Sequence, residues 1–389
     1  MKRKSVSIIL ALCLLLTLAP MAMADEGSAN EISTFEQLQQ AFENGGTYTL
    51  TKDITVESGL ILKSSKELTI NGNNKTIAPA VTGLNEQGSV NAGATKIDNL
   101  IINSGTLTLK NLNVYGGKGR AIDNKGTLVM EKVSIERASG TGYGAGLYNE
   151  RNSSKALLTD CNIRNNTTTS AGGGFFNNGM LIMERSAVVE NTNTSGNSNG
   201  GGGGENGGQL YLNNCTVANN QSSEIGGGLN LYGGRAYIMN TTVTGNITTQ
   251  STSFGGGIGC HGGAKVYAVN SVFSYNYSKE PRELSDISFG GSNEYFYNCA
   301  YTSTVGTLQD GNKANLKELS DTIDTVYKNN GALQKLANGT YGIYPTDASP
   351  LQTGGTTTYF EYDGNSTVKM AFVNGNETAP LGALNAATS

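Results

Sequence analysis

The sequence contains no tryptophan, 6 prolines and a single histidine, and only 15% of its residues are charged. This composition is not that of a coiled coil or of collagen. Because His261 is the only histidine, a histidine-rich metal site lacks a second imidazole, and a Ser-His-Asp triad lacks its nucleophile elbow. The net charge of -4, without a basic stripe, argues against nucleic acid or anionic membrane as the main partner. We expect neither a metal nor a cofactor.

Long apolar runs are also missing, except at the N-terminus. Residues 2–4 are basic, residues 6–18 are apolar, and residues 22–24 place small residues at both cleavage-determining positions. This pattern predicts a secretory signal peptide at 1–24. Leu12 rather than a small residue precedes Cys13, which argues against a lipoprotein anchor. No later run is long enough to span a membrane, so we expect a secreted chain, extracellular or associated with the cell surface.

One repeated unit organises the rest of the chain and is clearest between positions 208 and 246. It reads GxLxLxxCxVxxN, then a polar loop and GGGL, with Cys215 as the reference residue. The interval between units ranges from 21 residues, Leu112 to Val133, to 30 residues, Thr241 to Ser271. The reference positions are Leu112, Val133, Cys161, Ser186, Cys215, Thr241, Ser271 and Cys299. Short alternating runs between glycine and asparagine turns predict one coil of a solenoid per unit.

Two columns of the repeat are almost entirely apolar, which predicts that they face an interior. Three residues before the reference stand Leu109, Met130, Leu158, Met183, Leu212, Ile238, Ala268 and Phe296. Two residues after it stand Val114, Ile135, Ile163, Val188, Val217, Val243, Phe273 and Tyr301. A right-handed parallel β-helix stacks such columns about 4.8 Å apart along a tubular core.

Polar columns support the same register. One residue before the reference, Asp160 and Arg185 follow each other, so opposite charges are expected to stack on adjacent coils. Five residues after the reference stand Asn166, Asn191, Asn220, Asn246 and Asn276. This column predicts a ladder of asparagine amides bonded to one another at a turn.

The two ends of the solenoid need covers, because an open end exposes core and unpaired strand edge. Thr34 to Gln37 resembles a capping box that opens a short helix. A second amphipathic helix is predicted from Asn315, and residues 340–384 are predicted to form short strands. The predicted fold is all-β, a right-handed parallel β-helix (solenoid) with an N-terminal capping helix and a C-terminal α+β covering segment. The predicted organisation is signal peptide 1–24, leader and capping helix 25–46, parallel β-helix 47–301 and C-terminal covering segment 302–389.

The cysteines are predicted to be free thiols despite the secretion signal. Cys161, Cys215 and Cys299 share the reference column, but they are two or more coils apart, about 10 Å or more on strand spacing. That separation is too large for a disulfide. Cys260 has no assigned role.

The glycine-rich loops and strand ends carry a family resemblance. The loops read GAGL, GGGF, GGGL and GGGI at 144–147, 172–175, 226–229 and 255–258, and the strands end in IRNN, VVEN, VANN, VTGN and FSYN. These tetrapeptides resemble the GGA[ILV] and FxxN repeats of polymorphic outer membrane proteins and of the wider pectate-lyase-like β-helix group. The resemblance implies the β-helix fold, but the group contains both adhesins and polysaccharide enzymes.

An enzymatic function is the alternative hypothesis. Gly259 to Gly263 resembles the His-Gly signature of polygalacturonase-like hydrolases, which would make His261 catalytic together with loop carboxylates such as Glu205 or Glu224. Those hydrolases also carry paired aspartates, and no outward column here holds carboxylates on adjacent coils. A turn histidine in a glycine loop is therefore the favoured interpretation, and a polysaccharide lyase or glycoside hydrolase remains the alternative.

An outward column of unusual character is the predicted binding face. Four residues before the reference, the last four coils place Tyr211, Tyr237, Tyr267 and Tyr295 where polar residues are expected. Stacked tyrosines suit sugars or an extended polymer, and an exposed apolar strip usually marks an interaction surface. The competing explanation is that residues 302–389 cover the strip. We expect an adhesin-like protein that binds an extracellular polysaccharide or a host or bacterial surface protein without catalysis.

Overall fold

The computed structural model describes residues 30–80, 97–196, 200–250, 255–278, 283–290, 294–305, 313–314, 317–319, 322–347, 349, 351, 358–362 and 368–372. The predicted signal peptide lies outside these residues. The described chain is mostly β, with long parallel sheets and few helices. This architecture is compatible with a solenoid.

The largest sheet in the described part of the chain has 20 strands and consists of two parallel ladders joined by three long strands. The first ladder contains Asn30–Ile32, Gly46–Leu50, Glu67–Pro79, Thr106–Tyr115, Thr127–Glu136, Lys155–Thr159, Met180–Glu184, Gln209–Asn213, Arg235–Met239, Lys265–Val269, Glu294–Tyr297 and Lys313–Ala314. The second ladder shares Glu67–Pro79, Thr106–Tyr115 and Thr127–Glu136 and adds Ile54–Val56, Asn162–Arg164, Ala187–Val189, Thr216–Ala218, Thr242–Thr244, Val272–Ser274, Ala300–Tyr301 and Lys317–Glu318.

Two further sheets complete the stack. The ten-stranded sheet contains Leu60–Leu62, Asn99–Asn103, Arg120–Asn124, Leu147–Asn149, Phe175–Asn177, Gly204–Asn206, Leu229–Tyr232, Ile258–His261, Ile287–Ser288 and Thr304–Val305. The seven-stranded sheet contains Ser139–Gly140, Thr167–Thr168, Thr192–Asn193, Gln221–Ser222, Ile247–Thr248, Tyr277–Ser278 and Glu283–Leu284. From Arg120 to Ser278 each repeat visits the ten-stranded sheet, the two ladders and the seven-stranded sheet in turn, and equivalent strands of these repeats pair in parallel.

The predicted register is confirmed residue by residue. The column from Leu109 to Phe296 pairs in the first ladder in the predicted order. The column from Val114 to Tyr301 pairs likewise in the second. All members except Tyr301 are at most 2% exposed. These side chains therefore fill the interior, and their burial is the main stabilising contribution of each repeat.

The asparagine ladder is confirmed as well. Each Nδ2 donates to the Oδ1 of the next asparagine, from Asn166 to Asn276, at 2.8 to 3.0 Å. A second ladder, which the sequence analysis missed, runs through the ten-stranded sheet at 2.7 to 2.8 Å. Its members are Asn103, Asn124, Asn149, Asn177 and Asn206. Both ladders are buried, and they satisfy backbone carbonyls at the turns.

The column before the reference has a conformational role that the sequence analysis did not recognise. Asp160 and Arg185 stack as predicted, with two hydrogen bonds at 2.9 and 3.0 Å. Both residues, however, lie in the left-handed region, with φ of 53° and 47°. They form the tight turn between the two ladders. Asparagine adopts this conformation more readily than most residues, which explains why Asn214, Asn240, Asn270 and Asn298 follow in the same column.

The N-terminal helix is confirmed. It spans Phe35–Asn44, and Thr34 and Gln37 form both bonds of a capping box. Leu38, Ala41 and Phe42 are buried in the main core. The helix therefore continues the core beyond the first strands, as a cap must.

The C-terminal segment differs from its prediction. The predicted start of the second helix at Asn315 is wrong, because Lys313–Ala314 and Lys317–Glu318 are strands that pair with the previous repeat, and the helix is present only at Ile323–Val326. Parallel stacking thus continues beyond Tyr301 and excludes a helix there. The described helices of this segment are Ile323–Val326 and the 3-10 helix Lys328–Gly331. Two antiparallel pairs follow: Gln334–Lys335 with Tyr341–Gly342, and Thr358–Tyr362 with Val368–Phe372.

The segment packs on the outer face of the second ladder. Tyr327 is buried there, and its hydroxyl lies 2.7 Å from Ser274 Oγ. Asn338 Nδ2 donates to Asp160 Oδ1 at 2.9 Å, and the Arg164 guanidinium lies 4.5 Å from the Tyr341 ring centre. A separate apolar cluster joins Ala187, Val189, Ala218, Val272, Tyr275, Ala300, Leu319, Val326, Tyr327, Ile343 and Leu351.

The four cysteines of the described chain are buried and unbridged, as predicted for Cys161, Cys215 and Cys299. Burial raises the pKa of Cys161, Cys215 and Cys299 to about 12 and also raises that of Cys260. Because the thiolate is the reactive form, we expect the native protein to resist iodoacetamide at pH 8 and the denatured protein to react at all four thiols. Mass spectrometry of the alkylated protein measures this. Rapid alkylation before unfolding would contradict the burial of the cysteines.

Candidate functional site

The four predicted tyrosines form a continuous stack on the outer face of the first ladder. Their strands pair so that Tyr211, Tyr237, Tyr267 and Tyr295 are direct neighbours. Successive ring centres are 4.9, 5.0 and 5.0 Å apart, with interplanar angles of 5°, 11° and 3°. The spacing between neighbouring strands imposes this distance, because the four rings occupy equivalent positions on successive strands. We call these four residues the tyrosine ladder.

The stacking limits how the ladder could bind. The faces of neighbouring rings contact each other, so ring edges and hydroxyl groups are the parts directed away from the stack. Tyr295 is 38% exposed, whereas Tyr237 is only 6% exposed. Met239 and Val269 are buried beside the ladder, with Tyr297 partly buried. The contacts described above for Tyr327, Asn338 and Tyr341 of the C-terminal segment lie on the second ladder. These contacts therefore do not account for the burial of Tyr237.

A second set of unusual outward residues lies on the ten-stranded sheet. In these strands one residue faces outward between two residues that point into the core, as Tyr148, Phe176 and Glu205 do. From one coil to the next this outward column reads Ile61, Ile102, Asp123, Tyr148, Phe176, Glu205, Asn230, Gly259 and Ser288. We call it the outward column of the ten-stranded sheet.

Two residues of the alternative enzymatic hypothesis meet in this column through a residue that the sequence analysis did not select. Asn230 Nδ2 donates to Glu205 Oε2 at 2.7 Å, and Asn230 Oδ1 lies 2.6 Å from His261 Nε2. These contacts fit a histidine whose Nε2 carries the proton and donates it to the amide oxygen. Glu205 also accepts from the backbone N–H of Gly200 at 3.1 Å. Tyr232 lies beside His261, with ring centres 5.0 Å apart.

Burial controls the charge states of this group. Desolvation raises the pKa of Glu205, while its bonds to Asn230 and Gly200 oppose that effect. Desolvation lowers the pKa of His261, so the imidazole is favoured in its neutral form. A carboxyl whose pKa is raised and a neutral imidazole, bridged by the Asn230 amide, are groups that proton transfer can use.

Glu224 does not join this group. It lies in the turn between Gln221–Ser222 and Leu229–Tyr232, where its backbone N–H donates to Ser222 Oγ at 3.4 Å. Within the described ranges, no contact links it to Glu205 or His261. The structure therefore brings together two of the three residues that sequence reasoning proposed for catalysis.

A third group, which the sequence analysis missed, occupies the start of the same column. Arg120 Nη1 donates to Asp123 Oδ2 at 3.0 Å, and the guanidinium carbon lies 3.8 Å from the Tyr148 ring centre. Phe176 contacts Tyr148 at 5.6 Å and Tyr143 at 4.8 Å between ring centres. Asp123 is 3% exposed, and its Oδ1 has no hydrogen-bond partner. The sequence contains a signal for this group: an Arg and an Asp three residues apart are followed by aromatic residues one and two repeats later.

Among the described residues no second carboxylate lies beside Glu205, whereas Asp123 has Glu150 on the next coil, with Lys125 Nζ 4.0 Å from Asp123 Oδ2 and 3.3 Å from Glu150 Oε2. Three coils separate Asp123 from Glu205 in the outward column, about 14 Å on strand spacing. The described residues contain no group of three or more His, Cys, Asp or Glu side chains placed to hold a metal ion. None of the helices in the described ranges has the length and apolar character needed to cross a bilayer.

Comparison of the chain with protein-family models, with curated proteins and with solved structures gives no match.

Proposed function

We propose that this chain is a secreted, right-handed parallel β-helix of the pectate-lyase-like kind with an adhesin-like role, binding glycan or protein ligands outside the cell. The observation that carries the proposal is the tyrosine ladder, which occupies four consecutive outward positions. Such a column has no role in the core of the first ladder. Its row of hydroxyl groups recurs at strand spacing, which suits a polymer that runs along the stack.

The test is binding by variants that keep the ring stack. The change of Tyr267 and Tyr295 together to phenylalanine removes two hydroxyls and leaves the aromatic packing in place. We expect retention on the bound polysaccharide or surface protein to weaken about thirtyfold, since the two lost hydrogen bonds together contribute on the order of 2 kcal/mol. Retention on an immobilised ligand panel measures it.

The control for this test is Thr108→Ala, at the other end of the same outward column, which should leave retention unchanged. Equal retention of the double phenylalanine variant and the wild type would show that the tyrosine hydroxyls do not contribute to binding.

The second candidate is a polysaccharide lyase or glycoside hydrolase, and the contact chain Glu205, Asn230, His261 favours it. Protonated Glu205 would act as the general acid, and neutral His261 would act as the general base. Its weakness is that the described residues supply no second carboxylate beside Glu205. Release of reducing ends or of 4,5-unsaturated products, lost in Glu205→Gln and in His261→Ala, would establish this function over the adhesin-like one.

A further inference from the structure

Glu205 is a buried carboxylate with one open oxygen. The residue is 8% exposed and stands in the middle of the outward column. Its Oε2 accepts from Asn230 and Gly200, which hold the side chain in place. Its Oε1 has no hydrogen-bond partner among the described residues, and it is not among their solvent-inaccessible atoms. One acceptor of a fixed, buried carboxylate therefore points to where a ligand could reach it.

No cation of the described chain balances this charge. The two groups that hold Glu205 are a neutral amide and a backbone N–H, and no described lysine or arginine forms an ion pair with it. His261, on the far side of Asn230, is favoured as neutral imidazole. A buried carboxylate without a cationic partner is costly, as the raised pKa of Glu205 reflects. A ligand that brings a positive charge would recover this cost.

Aromatic side chains stand on both sides of the carboxylate. Phe176 is the direct neighbour of Glu205 on the preceding strand. Tyr232, 56% exposed, ends the following strand and lies beside His261. Aromatic faces bind the apolar face of a sugar ring, and they also attract an ammonium group. The aromatic side chains and the carboxylate together therefore suit a sugar ring that carries an amine.

The spacing of the column distinguishes a glycan from a peptide. Outward positions recur about every 4.8 Å along the stack, while same-face side chains of an extended peptide recur about every 6.8 Å. A peptide lying along the column would lose register after one residue. The rise of an extended, equatorially linked sugar unit is close to the coil spacing, so one unit can face each coil.

We infer that Glu205, Asn230, Phe176 and Tyr232 form a subsite for an amino sugar with a free ammonium group, in a polysaccharide lying along the ten-stranded sheet. The ammonium donates to Glu205 Oε1 and the sugar ring lies against the aromatic side chains. The inference rests on the proposed binding of glycans, but it uses a different face from the tyrosine ladder. Polyuronates are disfavoured at this position, because their carboxylates would approach an unbalanced buried carboxylate.

The experiment compares glucosamine oligomers with N-acetylated oligomers of equal length, in which a neutral and bulkier amide replaces each cationic amine. Isothermal titration of the purified chain at pH 6 measures both affinities, with galacturonate oligomers and oligolysine as further ligands. We expect the free-amine oligomers to bind at least tenfold more tightly than the acetylated oligomers. Glu205→Gln, which keeps the size of the side chain, should abolish that preference.

The matched control is Glu131→Gln, because Glu131 is an exposed carboxylate paired with Lys110 and should not affect binding. Equal binding of acetylated and free-amine oligomers, or an unchanged preference in Glu205→Gln, would overturn the subsite. Oligolysine binding that equals that of the amino oligomers and is lost in Glu205→Gln would replace the glycan assignment by a peptide.

The two proposals can fail separately, because they use different faces. If the tyrosine variants lose retention while Glu205→Gln shows no effect, the proposed function stands and this inference fails. If binding depends on Glu205 while the tyrosine variants bind normally, this inference stands and the tyrosine ladder is not the binding face.

Discussion

Replacement of Asn220 by alanine is expected to destabilise the fold by about 3 to 5 kcal/mol. The Asn220 side chain is fully buried. Its Nδ2 donates to Val188 O and Asn246 Oδ1, each at 2.9 Å, and its Oδ1 accepts from the N–H and Nδ2 of Asn191 at 2.9 and 3.0 Å. Alanine removes all four bonds, leaves the Asn191 backbone N–H without its acceptor in the interior and interrupts the ladder in its middle. Denaturant unfolding followed by circular dichroism measures the loss.

The matched control is the preceding residue in the chain. Asn219 is exposed and lies in the left-handed region, with φ of 55°, so Asn219→Gly keeps an acceptable backbone conformation. We expect it to change the free energy of unfolding by less than about 1 kcal/mol. If Asn220→Ala were no more damaging than Asn219→Gly, the ladder would not be a major source of stability.

Replacement of Asp286 by alanine is the second large effect, at about 3 to 5 kcal/mol. Asp286 is fully buried and accepts five hydrogen bonds at the end of the asparagine ladder. Its Oδ1 accepts from the N–H and Nδ2 of Asn276 at 2.9 and 2.8 Å. Its Oδ2 accepts from Thr302 N, Thr302 Oγ1 and Ser303 N at 2.6, 2.5 and 2.8 Å. Alanine would remove all five bonds and leave the Asn276 N–H, the Thr302 hydroxyl and the Ser303 N–H without their acceptor.

The location of Asp286 predicts where this loss is felt. The carboxylate joins the last ladder asparagine to the connection between Ala300–Tyr301 and Thr304–Val305, so amide hydrogen exchange should increase first in the repeats after Asn276. Glu283→Gln, an exposed carboxylate of the same region, is the control and should leave the exchange rates unchanged. Unchanged protection after Asn276 in Asp286→Ala would contradict the role of Asp286 as the ladder's end.

The register could be predicted from the sequence because each coil repeats the same physical demand. Inward positions must be apolar in every repeat, so columns such as Leu109 to Phe296 are visible without structure. The first asparagine ladder follows a strand end of constant spacing and was equally visible. The second ladder was not recognised, although Asn124-Lys125-Gly126 and Asn177-Asn178-Gly179 repeat an asparagine two residues before a glycine.

The site was less predictable, because its contacts join residues of different repeats. Glu205 and His261 were selected separately, and Asn230 between them resembles any other polar strand residue in the sequence. The start of the C-terminal helix was mispredicted for a related reason. The helical spacing is realised at Ile323–Val326, but the predicted start at Asn315 is replaced by strand pairing at Lys313–Ala314 and Lys317–Glu318. Pairing with a neighbouring coil cannot be seen from the local pattern alone.

The most direct test of the adhesin-like account is affinity electrophoresis of the purified chain through gels that contain one polysaccharide each, with the same samples assayed for products. The panel includes acidic, neutral and amine-bearing polysaccharides. The account predicts slower migration with at least one polysaccharide and no release of reducing ends or 4,5-unsaturated products after prolonged incubation. Product release that depends on Glu205 and His261, or unchanged migration in every gel together with no retention on surface proteins, would contradict it.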